Sequence, residues 1–145
     1  MSTKKTVFID GAISPEKIAK SISNHQNKKN IGGHSIFLGQ VREDIVGDKF
    51  VKAIEYSTYK ELAEIKIHQI REDIFAKYPL VCLHIYHSIG TVLAGELCFF
   101  VFTSSQHRKP AQDACDEIVE RVKSEVPIWG KEIFYDDTHQ WKTNN

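Results

Sequence analysis

Cationic side chains flank one predicted helix, within the segment Ser104–Glu132. This segment begins with the basic turn His107-Arg108-Lys109, continues as an amphipathic pattern, and ends in a proline and a tryptophan close to a lysine. A helix N-terminus attracts phosphate and carboxylate through its free N–H groups and its dipole, and imidazole and guanidinium donors strengthen such binding. We therefore predict an anion-handling site here. The alternative is a solvated basic loop, because Ser-x-His-Arg is a weak motif by itself.

Lys123 lies at the edge of the apolar stripe of the same helix. The residues predicted to face inward recur at helical spacing: Ala111, Ala114, Cys115, Ile118, Val119 and Val122. Lys123 follows Val119 by four residues and so continues one edge of the stripe. A lysine there either extends its ammonium group to water, which is the more frequent outcome, or is held in a partly apolar pocket as a usable base or nucleophile. The sequence leaves both alternatives open.

No metal site or cofactor site is predicted. His84 and His87 are three residues apart in a predicted strand and point to opposite faces, and no other His, Asp or Glu cluster has metal-ligand spacing. The cysteines, Cys82, Cys98 and Cys115, are far apart and form no C-x-x-C pair, so we expect small buried apolar side chains in a reducing cytoplasm. Phosphate-binding glycine loops and the G-x-S-x-G motif are absent.

Length and charge narrow the class of protein. The 145 residues predict a single domain spanning 1–145. Lys plus Arg equals Asp plus Glu at 19 each, which gives no support for a nucleic-acid or membrane partner. RNA binding is further disfavoured, since no aromatic-basic stacking pattern occurs. No apolar run approaches the roughly 20 residues of a membrane span, and the N-terminus lacks the apolar core of a signal peptide.

The pattern of elements predicts the order β-α-β-β-α-β-β-α-β. The predicted strands are Thr6–Ile9, Ser35–Val41, Val51–Ser57, Val81–Ser88, Glu96–Thr103 and Lys131–Tyr135; the predicted helices run from Pro15 to about Asn24, from Thr58 to Tyr78 and from Pro110 to Glu125. The apolar run Leu97–Phe102 predicts a central strand buried on both faces. This order indicates the α+β class, a mainly antiparallel sheet with helices on one side.

The segments between these elements are predicted as follows. Glu43–Lys49 is charged and contains a glycine, so we expect a loop. Gly90–Gly95 is predicted to be a turn region, and Asp136–Asn145 a polar tail. Trp129 and Trp141 are expected to be core residues, with a place in a pocket lining as the alternative.

Several short motifs together resemble a known family. They are G-Q-V-R at Gly39–Arg42, I-E-Y-S-T-Y at Ile54–Tyr59, H-S-I-G at His87–Gly90, G-E at Gly95-Glu96, S-S-Q-H-R at Ser104–Arg108 and V-K-S-E-V-P-I-W-G-K-E at Val122–Glu132. In order and spacing the chain resembles the large, catalytic subunit of molybdopterin synthase over about residues 5–141. The resemblance implies an α/β hammerhead fold and a sulfurtransferase of molybdenum cofactor biosynthesis.

The resemblance also implies partners and a substrate. The family forms a homodimer that binds two small ubiquitin-like subunits, giving a heterotetramer. The small subunit ends in Gly-Gly with a thiocarboxylate, and two sulfurs are transferred to cyclic pyranopterin monophosphate (precursor Z) to form the dithiolene of molybdopterin. Because the partner supplies the sulfur, neither a cysteine nucleophile nor a metal is required. The alternative function is a non-catalytic module that binds a ubiquitin-like protein or a phosphorylated small molecule through the same basic pocket.

Site residues follow from the resemblance position by position. Lys123 matches the lysine that meets the partner's C-terminus, where it pairs with the thiocarboxylate or moves protons. His107 and Arg108 match the pair that holds the pterin phosphate, and Arg42 matches an anion-binding arginine presented with residues of the other protomer. Glu132 belongs to the same matched motif and is predicted to bind substrate. Pro127–Trp129 is implied to shape the pocket.

One departure concerns the second lysine of the site. The family has lysine directly after the tryptophan, whereas this chain has Gly130 there and Lys131 next. A one-residue shift turns a side chain to the other face of a strand, but a bulge at glycine could turn it back. We therefore predict Lys131 as a second catalytic and substrate-binding residue, dependent on such a bulge. The chain also ends four residues after Trp141, with Lys142 as its last basic residue.

Overall fold

A computed structural model describes residues 7–143. Thr6, the first residue of the first predicted strand, lies outside this range. The elements in chain order are β1 (Phe8–Asp10), α1 (Pro15–His25), β2 (Gly33–Gln40), β3 (Ile45–Val46), β4 (Lys49–Thr58), α2 (Lys60–Lys77), β5 (Leu80–Leu93), β6 (Leu97–Ser105), α3 (Arg108–Glu125), β7 (Ile128–Phe134) and β8 (His139–Trp141). Within the described range, no helix is both long and apolar enough to cross a membrane.

The strands form one mainly antiparallel sheet. Its order is β2-β6-β5-β4-β7-β8, with β3 paired to β4 and β1 paired to β5 in the one parallel contact of the described strands. The long strand β5 joins the two halves, because Leu80–His87 pairs with β6 and Gly90–Leu93 pairs with β4. This arrangement confirms the predicted α+β class and places β6 between β2 and β5.

The two faces of β6 contribute to two different cores. Phe99 and Val101 belong to the larger core, which α2 and α3 cover with their apolar stripes, whereas Phe100 and Phe102 pack with Ile18 of α1. Burial of β6 on both faces is thus as the apolar run predicted. The expectation that all helices lie on one side was wrong, because α1 packs against the second face, which the alternation of β6 makes equally apolar.

Local sequence signals account for the helix boundaries. The Ser14 side chain accepts a hydrogen bond from the Lys17 N–H at 3.2 Å, and Pro15 starts α1. Helix α2 ends at Lys77, two residues before Pro79. In α3 every residue predicted to face inward is buried. Leu62 of α2 belongs to an apolar pattern at helical spacing, with Ala63, Ile67, Ile70 and Ile74, that predicts a core-facing side, yet Leu62 is 50% exposed while the other four are buried.

Three of the predicted irregular segments contain strands. The Glu43–Lys49 loop folds back as a hairpin, with Ile45 opposite Phe50. Residues 90–93 continue β5 through Gly90, whose φ of 82° suits glycine, so the turn shrinks to residues 94–96. The polar tail contains β8, which pairs with β7. Pairing partners distant in sequence create these strands, which is why their local composition does not show them.

Both tryptophans are more exposed than predicted. Trp129 is 44% and Trp141 62% exposed, so neither is a core residue of this chain. Trp129 instead meets the ring of Tyr59 edge to face, with centroids 5.6 Å apart. A register shift between Val51 and Ala53 interrupts the pairing of β4 with β7.

Candidate anion-binding site

A pocket open to solvent lies at the C-terminal end of α3. Lys123 of α3 lines it together with residues of five strands: Gly39, Tyr56, His87, Cys98 and Ile128. Because Val122 and Val126 anchor this end of the helix in the core, the position of Lys123 is fixed by packing. The Lys123 side chain is exposed and also borders the pocket. It therefore extends to water along the pocket wall.

Two glycines in the pocket wall allow the strands around it to pack closely. A Cβ atom at Gly39 would lie 2.9 Å from the Phe99 Cβ, and one at Gly130 would lie 2.9 Å from the Ile54 Cγ2 and 3.4 Å from the Tyr56 Cε1. Both glycines line the pocket. Side chains at these positions would force β2 and β7 away from their neighbours, so glycine permits the close approach of the strands.

His87 is a buried neutral imidazole in the pocket wall. Its Nδ1 lies 2.8 Å from the Ser88 carbonyl oxygen, which can only accept, so Nδ1 carries the hydrogen and donates it. Burial, together with the nearby charge of Lys123, lowers the pKa of His87 to about 4. At neutral pH the ring therefore keeps Nε2 as a hydrogen-bond acceptor close to a lysine ammonium group.

Tyr56 stands beside His87. The two rings meet edge to face with centroids 5.0 Å apart. Burial raises the pKa of Tyr56 well above its usual range, and the neighbouring Cys98 thiol raises it further. The Tyr56 phenol therefore stays neutral. Lys123 is the residue of α3 that brings a positive charge to this part of the pocket wall.

Strand β7 is regular at Gly130, so the predicted bulge was wrong. Gly130 pairs with Tyr56 and Lys131 with Glu55 in continuous register, and the one shift in this ladder lies elsewhere. Lys131 therefore faces away from the pocket, and its Nζ lies 3.3 Å from the Glu55 carboxylate. The structure does not bring Lys131 together with Lys123. Without a bulge in β7, the Lys131 side chain stays on the face of the strand opposite to the one that Gly130 presents to the pocket.

Lys142 occupies the place next to Gly130. Its backbone N–H donates to the Gly130 carbonyl at 2.8 Å, and the residue lines the pocket. Pairing of β8 with β7 carries the chain to this position, because Trp141 lies opposite Lys131. The C-terminal segment thus brings a second lysine to the pocket that contains Lys123.

Glu132 is buried rather than open to the pocket. It is 7% exposed, and one carboxylate oxygen accepts a hydrogen bond from the Gln140 side chain at 2.9 Å. Its position in β7, two residues after Gly130, places it on the same face of the strand. The hydrogen bond between Gln140 and Glu132 links β8 to β7. Glu132 therefore supports the position of Lys142 and does not form part of the pocket lining.

His107 and Arg108 lie at the other end of α3. His107 is the N-cap residue and Arg108 the first helical residue, and both are exposed. Ser105 stabilises this terminus, since its hydroxyl accepts from the Ala111 N–H at 3.0 Å and donates to the His107 carbonyl. Lys123 follows Arg108 by fifteen residues, which along an α-helix is about 22 Å. One chain therefore does not bring the two basic groups to a single small ligand.

Arg42 is exposed just beyond β2. Its guanidinium pairs with Asp44 through two nitrogens, at 3.2 and 3.3 Å. Gln40, two residues earlier, lines the pocket, but Arg42 itself does not. Its side chain is 72% exposed and available to a ligand from outside this chain.

Sequence reasoning did not identify three residues of the pocket wall: Tyr56, His87 and Lys142. Tyr56 and His87 occur in motifs of the resemblance, but the alternation of a strand alone does not reveal which face meets α3. Lys142 gave only the weak signal of a basic residue after the last tryptophan. In each case the missing information is a pairing between strands distant in sequence.

Comparison with known proteins gives consistent matches. The family model described as "MoaE protein" matches residues 9–125. The molybdopterin synthase catalytic subunit of Pyrococcus abyssi is 38% identical over 107 residues, covering 74% of this chain and 72% of that protein. The subunit of the same name from Rattus norvegicus is 34% identical over 113 residues, covering 78% of this chain and 56% of that protein. The match thus spans little more than half of the rat protein.

Solved structures show the same fold. Molybdopterin synthase from Staphylococcus aureus superposes with a TM-score of 0.83 at 31% identity, covering 98% of this chain and 99% of that chain. A complex of subunits 1 and 2 of molybdopterin-converting factor from Helicobacter pylori gives a TM-score of 0.80 at 22% identity, covering 95% and 90%. At that lower identity the likeness concerns the fold alone.

Proposed function

Because the chain belongs to the MoaE protein family, we propose that it is the catalytic subunit of a molybdopterin synthase. In this role it transfers sulfur from the thiocarboxylated C-terminus of a small ubiquitin-like subunit to cyclic pyranopterin monophosphate. The protein acts in the cytoplasm, as two copies with two small subunits. The observation that carries the proposal is the pocket at the end of α3, where Lys123 lies beside the neutral His87.

The pocket suits a slender anionic tail. The glycines at positions 39 and 130 leave the pocket wall without side chains at two points, which suits an extended main chain without large side chains, such as a Gly-Gly terminus. The Lys123 ammonium group pairs with the thiocarboxylate, and Lys142 adds a second positive charge. The free Nε2 of His87 accepts a hydrogen bond or a proton as sulfur attacks the pterin.

The phosphate of the substrate requires a second copy of the chain. Arg108 packs beside the first residue of β2, because a Cβ at Gly33 would lie 3.0 Å from its Cα, whereas Gly39 and Gln40 at the other end of β2 line the pocket. Strand β2 lies at an edge of the sheet, and its Ile36 and Leu38 are 38% and 42% exposed. Antiparallel contact of two β2 edges about a two-fold axis places Arg108 of each copy near the other's pocket.

The direct test is product formation. The purified chain is mixed with thiocarboxylated small subunit and cyclic pyranopterin monophosphate, and the dithiolene product is measured. Lys123→Ala removes a charge worth roughly 2 to 4 kcal/mol at contact distance in a partly shielded site, so we expect at least about a 30-fold loss of rate. His68→Ala, on an exposed face of α2, is the matched surface control. Wild-type turnover by Lys123→Ala would exclude the assigned role, and binding without product would indicate a binding module.

Mixing two inactive variants tests the shared site. Lys123→Ala and Arg108→Ala are each expected to be severely impaired as homodimers. A heterodimer of the two keeps one complete site if Arg108 serves the pocket of the other copy. Activity regained after subunit exchange supports this arrangement. No regain, despite heterodimers detected by native mass spectrometry, would show that each chain builds its site alone.

A further inference from the structure

A second group of ligand-type side chains lies on the opposite face of the sheet from the Lys123 pocket. His25 comes from the last turn of α1, and Cys82 and His84 come from β5. One ligand atom of each residue lies within 4.8 Å of the others. We propose that His25, Cys82 and His84 bind a Zn²⁺-class cation, with a fourth position left to solvent. This inference is independent of the sulfur-transfer site.

The strand geometry provides two of the three ligands. Cys82 and His84 are two residues apart in β5 and so project from the same face, whereas His87 projects from the other. His84 and His87 project from opposite faces, as their spacing predicted, but the prediction that no other cluster could hold a metal overlooked Cys82-x-His84 as a ligand pair. Its third member, His25, is 57 positions before Cys82 and is brought near only by the packing of α1.

The distance between the two imidazole nitrogens is close to that of a tetrahedral site. His25 Nε2 and His84 Nε2 are 3.0 Å apart. Two nitrogens bound to zinc at about 2.0–2.1 Å lie about 3.3 Å apart in a tetrahedron, and a thiolate sulfur binds at about 2.3 Å. The nitrogen pair therefore already has nearly the spacing of bound ligands, and the Cys82 Sγ lies within 4.8 Å of the histidine ligand atoms. An imidazole pair with a thiolate is a ligand set that zinc accepts.

The ring of His25 is already oriented for a cation. Its Nδ1 donates to the Ser21 carbonyl at 2.6 Å, which directs Nε2 toward His84. A histidine ligand commonly has its second nitrogen bonded to such an acceptor, because this bond fixes the ring. One hydrogen must lie between the two Nε2 atoms in the metal-free protein, and the bound cation takes its place.

Lys28 controls access to the sulfur. Its ammonium group donates to the Cys82 Sγ at 2.9 Å, on the side of a solvent-open cavity that His25, His84 and Tyr86 also line. Lys28 is exposed, so it can move into water when a cation enters. The bound metal would link α1 to β5 beside Phe102 of the second core. We therefore assign it a structural role.

The experiment is titration of the purified, metal-free full chain with Zn²⁺ and, separately, Co²⁺. We expect one equivalent of each to bind, with a thiolate-to-cobalt charge-transfer band. Cys82→Ser should abolish the band, and Cys82→Ser or His84→Ala should weaken binding at least about tenfold. Lys28→Met should tighten binding, because it removes the competing cation. Cys115→Ser and His68→Ala serve as matched controls and should bind as the wild type does.

The wild-type spectrum keeps the test decisive even when a variant fails to fold. Circular dichroism identifies such variants, and they are then set aside. Absence of saturable binding by the wild-type chain would overturn the proposal. So would one bound equivalent of Co²⁺ without a thiolate band, or an unchanged affinity in a folded Cys82→Ser variant.

Discussion

The buried neutral His87 makes the stability of this protein depend on pH in a defined window. Its pKa is lowered to about 4 in the folded chain, whereas an unfolded histidine titrates near 6.5. Between these values the unfolded state binds more protons, so the free energy of unfolding falls as the pH drops from about 6.5 to about 4. A tenfold difference in proton affinity between the two states corresponds to about 1.4 kcal/mol, so the whole window corresponds to about 3 kcal/mol.

The effect can be measured by urea unfolding at two pH values. From pH 7 to pH 5 the His87 contribution should amount to about 2 kcal/mol. His87→Gln keeps a polar side chain of similar size without titrating there. We expect the wild type to lose about 2 kcal/mol more than this variant on acidification, since other groups, such as His34 with its lowered pKa, contribute to both proteins. His68→Gln, at an exposed position, should behave as the wild type does.

Direct titration provides an independent readout. The ring C–H resonance of His87, followed by NMR, should show a midpoint near 4. Lys123→Ala removes a positive charge beside the ring and should raise the midpoint, which also tests their proximity. A midpoint near 6.5 in the folded wild type, or equal pH dependence of wild type and His87→Gln, would refute this reasoning.

Two further predictions concern the lysines and the glycine of the pocket wall. Lys142→Ala should reduce dithiolene formation about tenfold or more, because one charged contact is worth about 1.5–3 kcal/mol. Lys131→Ala should change the rate little, because it breaks only the ion pair with Glu55 near the surface. A larger loss of rate in Lys131→Ala than in Lys142→Ala would show that the Lys131 side chain turns toward the pocket in the complex. Gly130→Ala places a methyl group 2.9 Å from Ile54 and should lower the free energy of unfolding by about 1–3 kcal/mol. The smaller conformational entropy that alanine loses on folding offsets part of this destabilisation. A thermal midpoint at or above that of the wild type would contradict this.

Local patterns in the sequence were sufficient for the elements that frame the pocket. The apolar residues of α3 recur at helical spacing without interruption, and all six that were predicted to face inward are buried. The run from Leu97 to Phe102 predicted the central strand correctly, because burial on both faces removes alternation. Ser14 and Pro15 likewise determined the start of α1. In each case the feature depends on residues that are near one another in sequence or on the composition of a short segment.

The motifs of the sequence also pointed to the family, and hence to Lys123, His107 and Arg108. What they left undecided was the relation between the two ends of α3. The length of the helix separates Arg108 from Lys123 by about 22 Å, so a common ligand needs a second chain. The position of β2 at the sheet edge, which depends on the whole strand order, supplies a surface for that second chain.

Only the tertiary structure decided which lysine accompanies Lys123. The register of β7 against β4 turns Lys131 toward Glu55, and the pairing of β8 brings Lys142 to Gly130. The cluster of His25, Cys82 and His84 arises in the same way, from a helix and a strand far apart in the chain. The direction of a strand side chain depends on register, and register is determined by hydrogen bonds between distant segments, which no local pattern specifies.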